Sequence, residues 1–140
     1  MFKKFLLILL CLGCIGCTSK TLTFNVSTQD QVEIQIKGNY QLTNEQGNFI
    51  LEHDNKQKAQ GMFIPKETYQ ALLKEKENIL ILEEGKKDGN PYFLTQSNED
   101  YVYILFLENS QTGIYLTCTG SKQEAKDIFS SFTFKITENS

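Results

Sequence analysis

Residues 101–107 carry apolar side chains at odd and even positions alike, so a strand formed here would bury both of its faces. A polar turn at residues 109–113 follows, and Ile114, Leu116 and Cys118 then alternate along one side of a returning strand. A strand that is apolar on both faces needs a packed layer on each side. The hairpin therefore predicts a covered antiparallel sheet, with Cys118 pointing inward as a buried thiol.

Alternating apolar residues predict the other strands, and together they indicate about nine. The predicted strands lie at residues 22–26, 32–36 with a continuation past a turn at Gly38 to Leu42, 49–53, 62–64, 79–82, 92–94 and 132–136. Two helices are predicted, at residues 66–76 after Pro65 and at residues 122–131 after a Ser121–Glu124 capping box. The expected fold is a single α+β domain over residues 22–140, an antiparallel sheet covered by two helices.

Three short segments resemble the PsbP-like family of small extracytoplasmic domains, which is named after an extrinsic photosystem II subunit. Gly38-Asn39-Tyr40 is similar to its early glycine–aromatic turn, although the usual tryptophan is absent. Residues 113–119 resemble its last hairpin strand, and residues 131–134 resemble its junction of terminal helix and strand. The resemblance implies an α-β-α sandwich and an accessory or assembly role, and it carries over no site residues.

The amino terminus resembles a bacterial lipoprotein signal peptide. Lys3 and Lys4 form a positive region, residues 5–15 are uncharged, and Gly16 places a small residue directly before Cys17. We therefore expect residues 1–16 to be a signal peptide, Cys17 to be lipidated, and residues 17–21 to form a short linker. Cys14 stands where such signals usually have leucine, and it remains an alternative attachment point.

Two other interpretations of this segment are weaker. The apolar run is shorter than the approximately 20 residues that a membrane-spanning helix needs. Cys11, Cys14 and Cys17 have the spacing of an iron–sulfur motif, but they lie in an apolar stretch without a polar loop to present thiolates. The expected membrane contact is therefore a diacylglyceryl anchor on the extracytoplasmic face, whether a Gram-positive surface or a periplasm, because two acyl chains suffice for stable binding.

Charge limits the partners of the processed chain. Removal of Lys3 and Lys4 leaves 12 lysines against 17 acidic residues, a net charge of −5, and the chain has no arginine. This balance argues against nucleic acid as a partner. The loss of Cys11 and Cys14 and the lipidation of Cys17 would leave Cys118 without a partner for a disulfide.

Catalytic motifs are missing from the sequence. His53 and Asp54 are adjacent, but no Gly-x-Ser-x-Gly elbow and no His-Glu-x-x-His motif accompany them. The predicted loop at residues 83–90 contains acids, but Lys86 and Lys87 would repel calcium. No catalytic residue, metal site or cofactor is therefore predicted.

Tyrosines are the remaining candidates for a binding surface. Tyr101, Tyr103 and Tyr115 would form either an exposed aromatic strip for a partner or part of the covered sheet, and the strand pattern favours burial. The sequence thus predicts a noncatalytic, lipid-anchored binding or assembly module with an unknown protein or peptide partner. The alternative is an immunity-type lipoprotein that sequesters cationic antimicrobial peptides at the membrane, and a hydrolase ranks third.

Overall fold

The computed structural model describes residues 19–138, so the predicted signal peptide and Cys17 lie outside the described residues. In this part of the chain it shows ten strands and two helices. The strands are β1 Ser19–Asn25, β2 Asp30–Lys37, β3 Gln41–Glu45, β4 Asn48–His53, β5 Lys56–Pro65, β6 Ile81–Lys87, β7 Asn90–Ser97, β8 Asp100–Phe106, β9 Thr112–Cys118 and β10 Phe132–Glu138. The helices are α1 Lys66–Glu75, continued by a short 3-10 turn at Lys76–Asn78, and α2 Lys122–Ser131.

Within residues 19–138, all the strand pairs are antiparallel, and they form two sheets. The larger sheet has the order β3-β4-β5-β9-β8-β7-β6, and the smaller one has the order β1-β2-β10. The last strand returns to pair with β2, where Phe134 lies opposite Ile34. The predicted sheet-rich α+β class is confirmed, whereas the second sheet was not predicted.

The central core lies between the two sheets and includes the inner face of α2. The alternation of β2 buries Val32, Ile34 and Ile36 completely. Across the core, Tyr103 of β8 stacks on Phe129 of α2, with ring centroids 3.8 Å apart. The side chains between the sheets are therefore buried from solvent and rich in aromatic rings, which contribute the largest buried areas.

Packing explains why a glycine stands at position 61 in β5. The Phe49 ring lies directly over it, and a Cβ added at Gly61 would overlap that ring. Phe49 is fully buried and packs edge-on against Phe132, with centroids 5.7 Å apart. The missing side chain therefore gives Phe49 its place at the centre of the core.

The opposite face of the larger sheet is covered in part by α1. Tyr69 of this helix is buried with Ile64, Phe93, Val102 and Ile104 in a second cluster. Since Tyr103 and Leu105 of the same strand β8 belong to the central core, β8 is buried on both faces, as its sequence predicted. The two helices thus lie on opposite faces of the larger sheet, and the smaller sheet shares one face with α2.

Local capping signals explain the helix starts. The Ser121 Oγ accepts a hydrogen bond from the backbone N–H of Glu124 at 3.1 Å, so the serine half of the predicted capping box is present. Pro65 is the last residue of β5 and directly precedes α1, and the Lys66 N–H donates a hydrogen bond to the Gln111 carbonyl at 3.0 Å. The helix bounds agree with the prediction for α2 and differ by one residue at the end of α1.

Several strand predictions were wrong. Residues 79–82 were expected to be a buried strand, but Ile79 and Leu80 are exposed and β6 begins at Ile81. Residues 83–90 were expected to be a loop, whereas the strand continues to Lys87 and pairs with β7. β5 is ten residues long instead of three, and β1 begins at Ser19 rather than Leu22.

Candidate functional site

A cleft opens between the two sheets at one end of the molecule. Asn25 is paired with Gln31 at that end, whereas Ser19 is paired with Lys37 at the other. The cleft has a volume of about 850 Å³. Its lining comes from the turn before β2, the β6–β7 turn, the β8–β9 turn and β10, namely Thr28, Gln29, Asp30, Asp88, Gly89, Asn90, Glu108, Asn109, Phe134, Lys135, Ile136 and Thr137.

Asp30 connects the two sheets at the base of this cleft. Only 7% of its surface is exposed, and its Oδ2 accepts a hydrogen bond from the Gln111 N–H at 2.9 Å. The Thr112 hydroxyl lies 3.4 Å from the same oxygen. Across the β1–β2 turn, the Asp30 N–H donates to Ser27 Oγ at 2.8 Å. These bonds hold the β1–β2 turn against the β8–β9 turn, so the two walls of the cleft are joined.

Asn90 performs a similar role on the other wall. Its side chain is buried, and its Oδ1 accepts a hydrogen bond from the Glu108 N–H at 2.9 Å. The neighbouring Ser110 hydroxyl donates to the Leu107 carbonyl at 2.6 Å. The β6–β7 and β8–β9 turns are therefore fixed to each other, which gives the cleft a preformed shape.

The charges of the cleft are mainly negative. Asp30, Asp88 and Glu108 contribute three carboxylates, whereas Lys135 contributes one cation. The side-chain amide of the exposed Asn109 adds hydrogen-bonding capacity. Such a surface suits a polar or positively charged ligand, because carboxylates accept charge-assisted hydrogen bonds from ammonium and guanidinium groups.

His53 lies near the other end of the molecule, away from this cleft. Its Nδ1 is 2.7 Å from the Asn39 carbonyl oxygen, and its Nε2 is 3.3 Å from Asp54 Oδ2. The side chain lines a cavity of about 220 Å³ with Tyr40, Lys58, Glu124, Asp127 and Ile128. The lining of this cavity contains no serine or cysteine, so it does not pair His53 with a hydroxyl or thiol nucleophile of either type.

Cys118 is buried within the central core, as the strand phase predicted. Its neighbours across the strands are Ala59 and Tyr101. Burial, with a smaller contribution from Asp100, raises the pKa of the Cys118 thiol to about 12. A protonated thiol without access to solvent is a poor nucleophile.

Two of the acidic residues in the segment that was predicted to be a loop, residues 83–90, lie close to lysines. Glu84 forms an ion pair with Lys76, and Glu83 lies 3.9 Å from Lys126. Within residues 19–138, no group of three or more His, Cys, Asp or Glu side chains is arranged to hold a metal ion. The strand conformation of this segment, rather than a loop, explains why its carboxylates do not converge.

The tyrosines do not form an exposed strip. Tyr103 is buried against Phe129, while Tyr101 and Tyr115 are half-buried and lie on opposite faces of the larger sheet. The covered-sheet interpretation of these residues is therefore confirmed.

Sequence reasoning missed most of the cleft. Asp88 and Asn90 were included only in the predicted loop at residues 83–90, for which calcium was considered, and Asp30 and Glu108 were not singled out. Their proximity depends on contacts such as Asp30 to Gln111, which join segments far apart in the chain. Only the turn-forming residues around them gave a local signal.

Comparisons with known proteins add no family assignment. No protein-family model matches the chain, and no curated protein matches it significantly. The described helices include none that is long and apolar enough to cross a membrane.

Proposed function

We propose that this protein is a noncatalytic, lipid-anchored, extracytoplasmic binding or assembly module that takes its partner at the cleft between the sheets. The supporting observation is the position of the cleft. If Cys17 carries the lipid, a single residue separates it from the start of β1 at Ser19. The cleft lies at the far end of that strand, about 20 Å away for a seven-residue strand. An anchored domain would therefore present the cleft away from the lipid surface.

The anchor is tested by replacing Cys17 with serine. We expect the wild-type chain in the membrane fraction with a lipid-sized mass increase on Cys17, and the Cys17→Ser variant unprocessed or released from the membrane. Cys14→Ser is the matched control and should behave as wild type. Lipid on Cys14, or an unmodified wild-type chain, contradicts the anchor.

The cleft is tested with a photo-crosslinking amino acid. Placed at the exposed Gln29 in the cleft lining, it should capture a partner in native membranes. Placed at the exposed Glu99, in the β7–β8 turn at the opposite end, it should not capture that partner. Capture at Glu99 alone would contradict the proposed site.

A second function is favoured by the carboxylates of Asp30, Asp88 and Glu108, namely sequestration of cationic antimicrobial peptides. A negatively charged surface speeds the encounter with a cationic peptide and loses this effect as salt screens the charges. The full chain in zwitterionic lipid vesicles should then bind such a peptide more tightly at low salt than at physiological salt. Asp88→Asn with Glu108→Gln should weaken binding, whereas Glu75→Gln on α1 should not; absence of binding at low salt removes this function.

We also propose that the fold is related to that of the PsbP-like family. It is supported by the carboxyl-terminal order of elements, in which α2 ends at Ser131 and β10 begins at Phe132. The three-stranded sheet beside α2 is a departure from the expected arrangement, in which two helices alone cover a single sheet. An accessory or assembly role agrees with the binding module proposed above.

A further inference from the structure

Strand β6 forms one edge of the larger sheet. Its residues 83–87 pair in regular register with residues 94–90 of β7, beyond a bulge between Ile81 and Glu83. On its outer side, no other strand among residues 19–138 pairs with β6. The backbone N–H and C=O groups of such an edge can template another strand.

The charges along this edge have a two-fold pattern. The sequence reads Glu83-Glu84-Gly85-Lys86-Lys87, so two acids precede the glycine and two lysines follow it. If two copies of β6 pair antiparallel about Gly85, Glu84 lies opposite Lys86 of the second copy, and Glu83 lies opposite Lys87 of the second copy. Each charge then meets its opposite, and the same surface serves both chains, as a two-fold dimer requires.

The side chains of the inner pair, Glu84 and Lys86, are placed to make these contacts, whereas Glu83 lies 3.9 Å from Lys126 and the Lys87 ammonium lies 5.1 Å from the centre of the Phe129 ring. Residues directly opposite each other in an antiparallel pair point to the same face of the sheet. Glu84 and Lys86 are both exposed, and Gly85 places no side chain at the symmetry axis. The ion pair of Glu84 with Lys76 lies at the surface, where such pairs are worth about 1 kcal/mol or less, so it does not hold Glu84 away from a partner.

The apolar surface next to this edge agrees with an interface. Leu80, just before β6, is 69% exposed, and Ile79 before it is exposed as well. The exposed Leu73 of α1 lines a shallow cavity with Ile81 and Glu84 of β6. The edge also lacks proline, which would block strand addition. We infer that two copies of this chain associate through β6, antiparallel about Gly85, to form one continuous sheet.

Single charge reversals test both the interface and its register. Glu84→Lys places lysine opposite Lys86 at two positions of the dimer, and Lys86→Glu places glutamate opposite Glu84 at two positions. We expect each variant alone to raise the dimer Kd by about tenfold or more, since like charges directly opposite are destabilising. An equal mixture of the two variants restores both attractive pairs and should form heterodimers about as tightly as wild type.

The measurement is energy transfer between full-length chains labelled at the carboxyl terminus with one of two fluorophores and kept in detergent. The interface is small and weak, so the titration extends to high protein concentration. Lys76→Glu is the matched control, because it breaks the ion pair to Glu84 within the chain and leaves the charges of residues 83–87 intact. It should dimerise like wild type.

Two results would overturn the inference. A wild-type chain that stays monomeric up to about 1 mM, a concentration at which even binding near −4 kcal/mol is detected, removes the interface. A mixture that associates no better than the separate variants removes the antiparallel register about Gly85. Recovery in the mixture shows at the same time that both variants fold.

Discussion

At the scale of single residues, burial decides the chemistry of Cys118. The thiol lies in the central core and has a pKa raised to about 12, against an ordinary value of 9.0. Between these two pH values, the unfolded chain has lost the thiol proton and the folded chain has kept it. Rising pH therefore favours the unfolded state, so the contribution of this thiol to stability is complete below about pH 9 and is lost as pH approaches 12.

We expect the free energy of unfolding of wild type to fall more steeply above pH 9 than that of Cys118→Ala. The difference in this fall should reach about 2 kcal/mol near pH 10.5. Denaturant titrations of both proteins at pH 7, 9 and 10.5 measure it, and the tyrosines, common to both, serve as the internal control. Parallel pH profiles would show that Cys118 is not buried as a protonated thiol, and so would rapid labelling of the native protein by a polar thiol reagent.

At the scale of elements, the two helices and β6 differ in how strongly local sequence specifies them. α2 has a side-chain cap at Ser121 and an inward face of Ala125, Ile128 and Phe129. α1 has no side-chain cap at its start and relies on the hydrogen bond from Lys66 to Gln111. β6 is charged along most of its length, and its conformation comes from its pairing with β7.

Ser121→Ala should therefore destabilise the protein by about 1 kcal/mol, because the N–H of Glu124 loses its side-chain acceptor. Ser130→Ala on the exposed side of the same helix is the control and should change stability by less than about 0.5 kcal/mol. Chemical denaturation midpoints give both values. Equal effects of the two substitutions would mean that the cap does not stabilise α2.

At the scale of the whole molecule, Asp30 joins the smaller sheet to the larger one. Its carboxylate accepts a hydrogen bond from Gln111, 81 residues away, at a site that excludes most solvent. The bond also forms the base of the cleft. Stability and the shape of the candidate site therefore depend on the same contact.

Asp30→Ala should lower the free energy of unfolding by about 1–3 kcal/mol, because the part-buried N–H of Gln111 and the buried hydroxyl of Thr112 lose their acceptor. Asp30→Asn retains an acceptor oxygen of similar shape and should recover part of this loss. The two variants are compared by thermal and denaturant unfolding. An alanine variant as stable as wild type would show that this bond does not hold the sheets together.

Local sequence was sufficient for α2 and for the hairpin of β8 and β9, although it failed for other single strands such as β5 and β6. The Ser121–Glu124 spacing predicted the start of α2, and the alternation of residues 101–118 predicted the buried hairpin and the inward Cys118. These predictions were correct because the hydrophobic period of a strand and the capping of a helix depend on residues that are close in sequence. The lipid anchor at Cys17 is also a local pattern, and it stays a prediction.

The second sheet, the strand conformation of residues 83–87 and the cleft came only from the tertiary structure. β2 pairs with β10 across about a hundred residues, as in the pair Ile34 and Phe134, and no local pattern states which distant strands will meet. The charged residues of β6 lack strand propensity, and the backbone bonds to β7 override that preference. The cleft depends on the pairing of β2 with β10 and of β6 with β7, because its walls are turns that become neighbours only after the two sheets have packed.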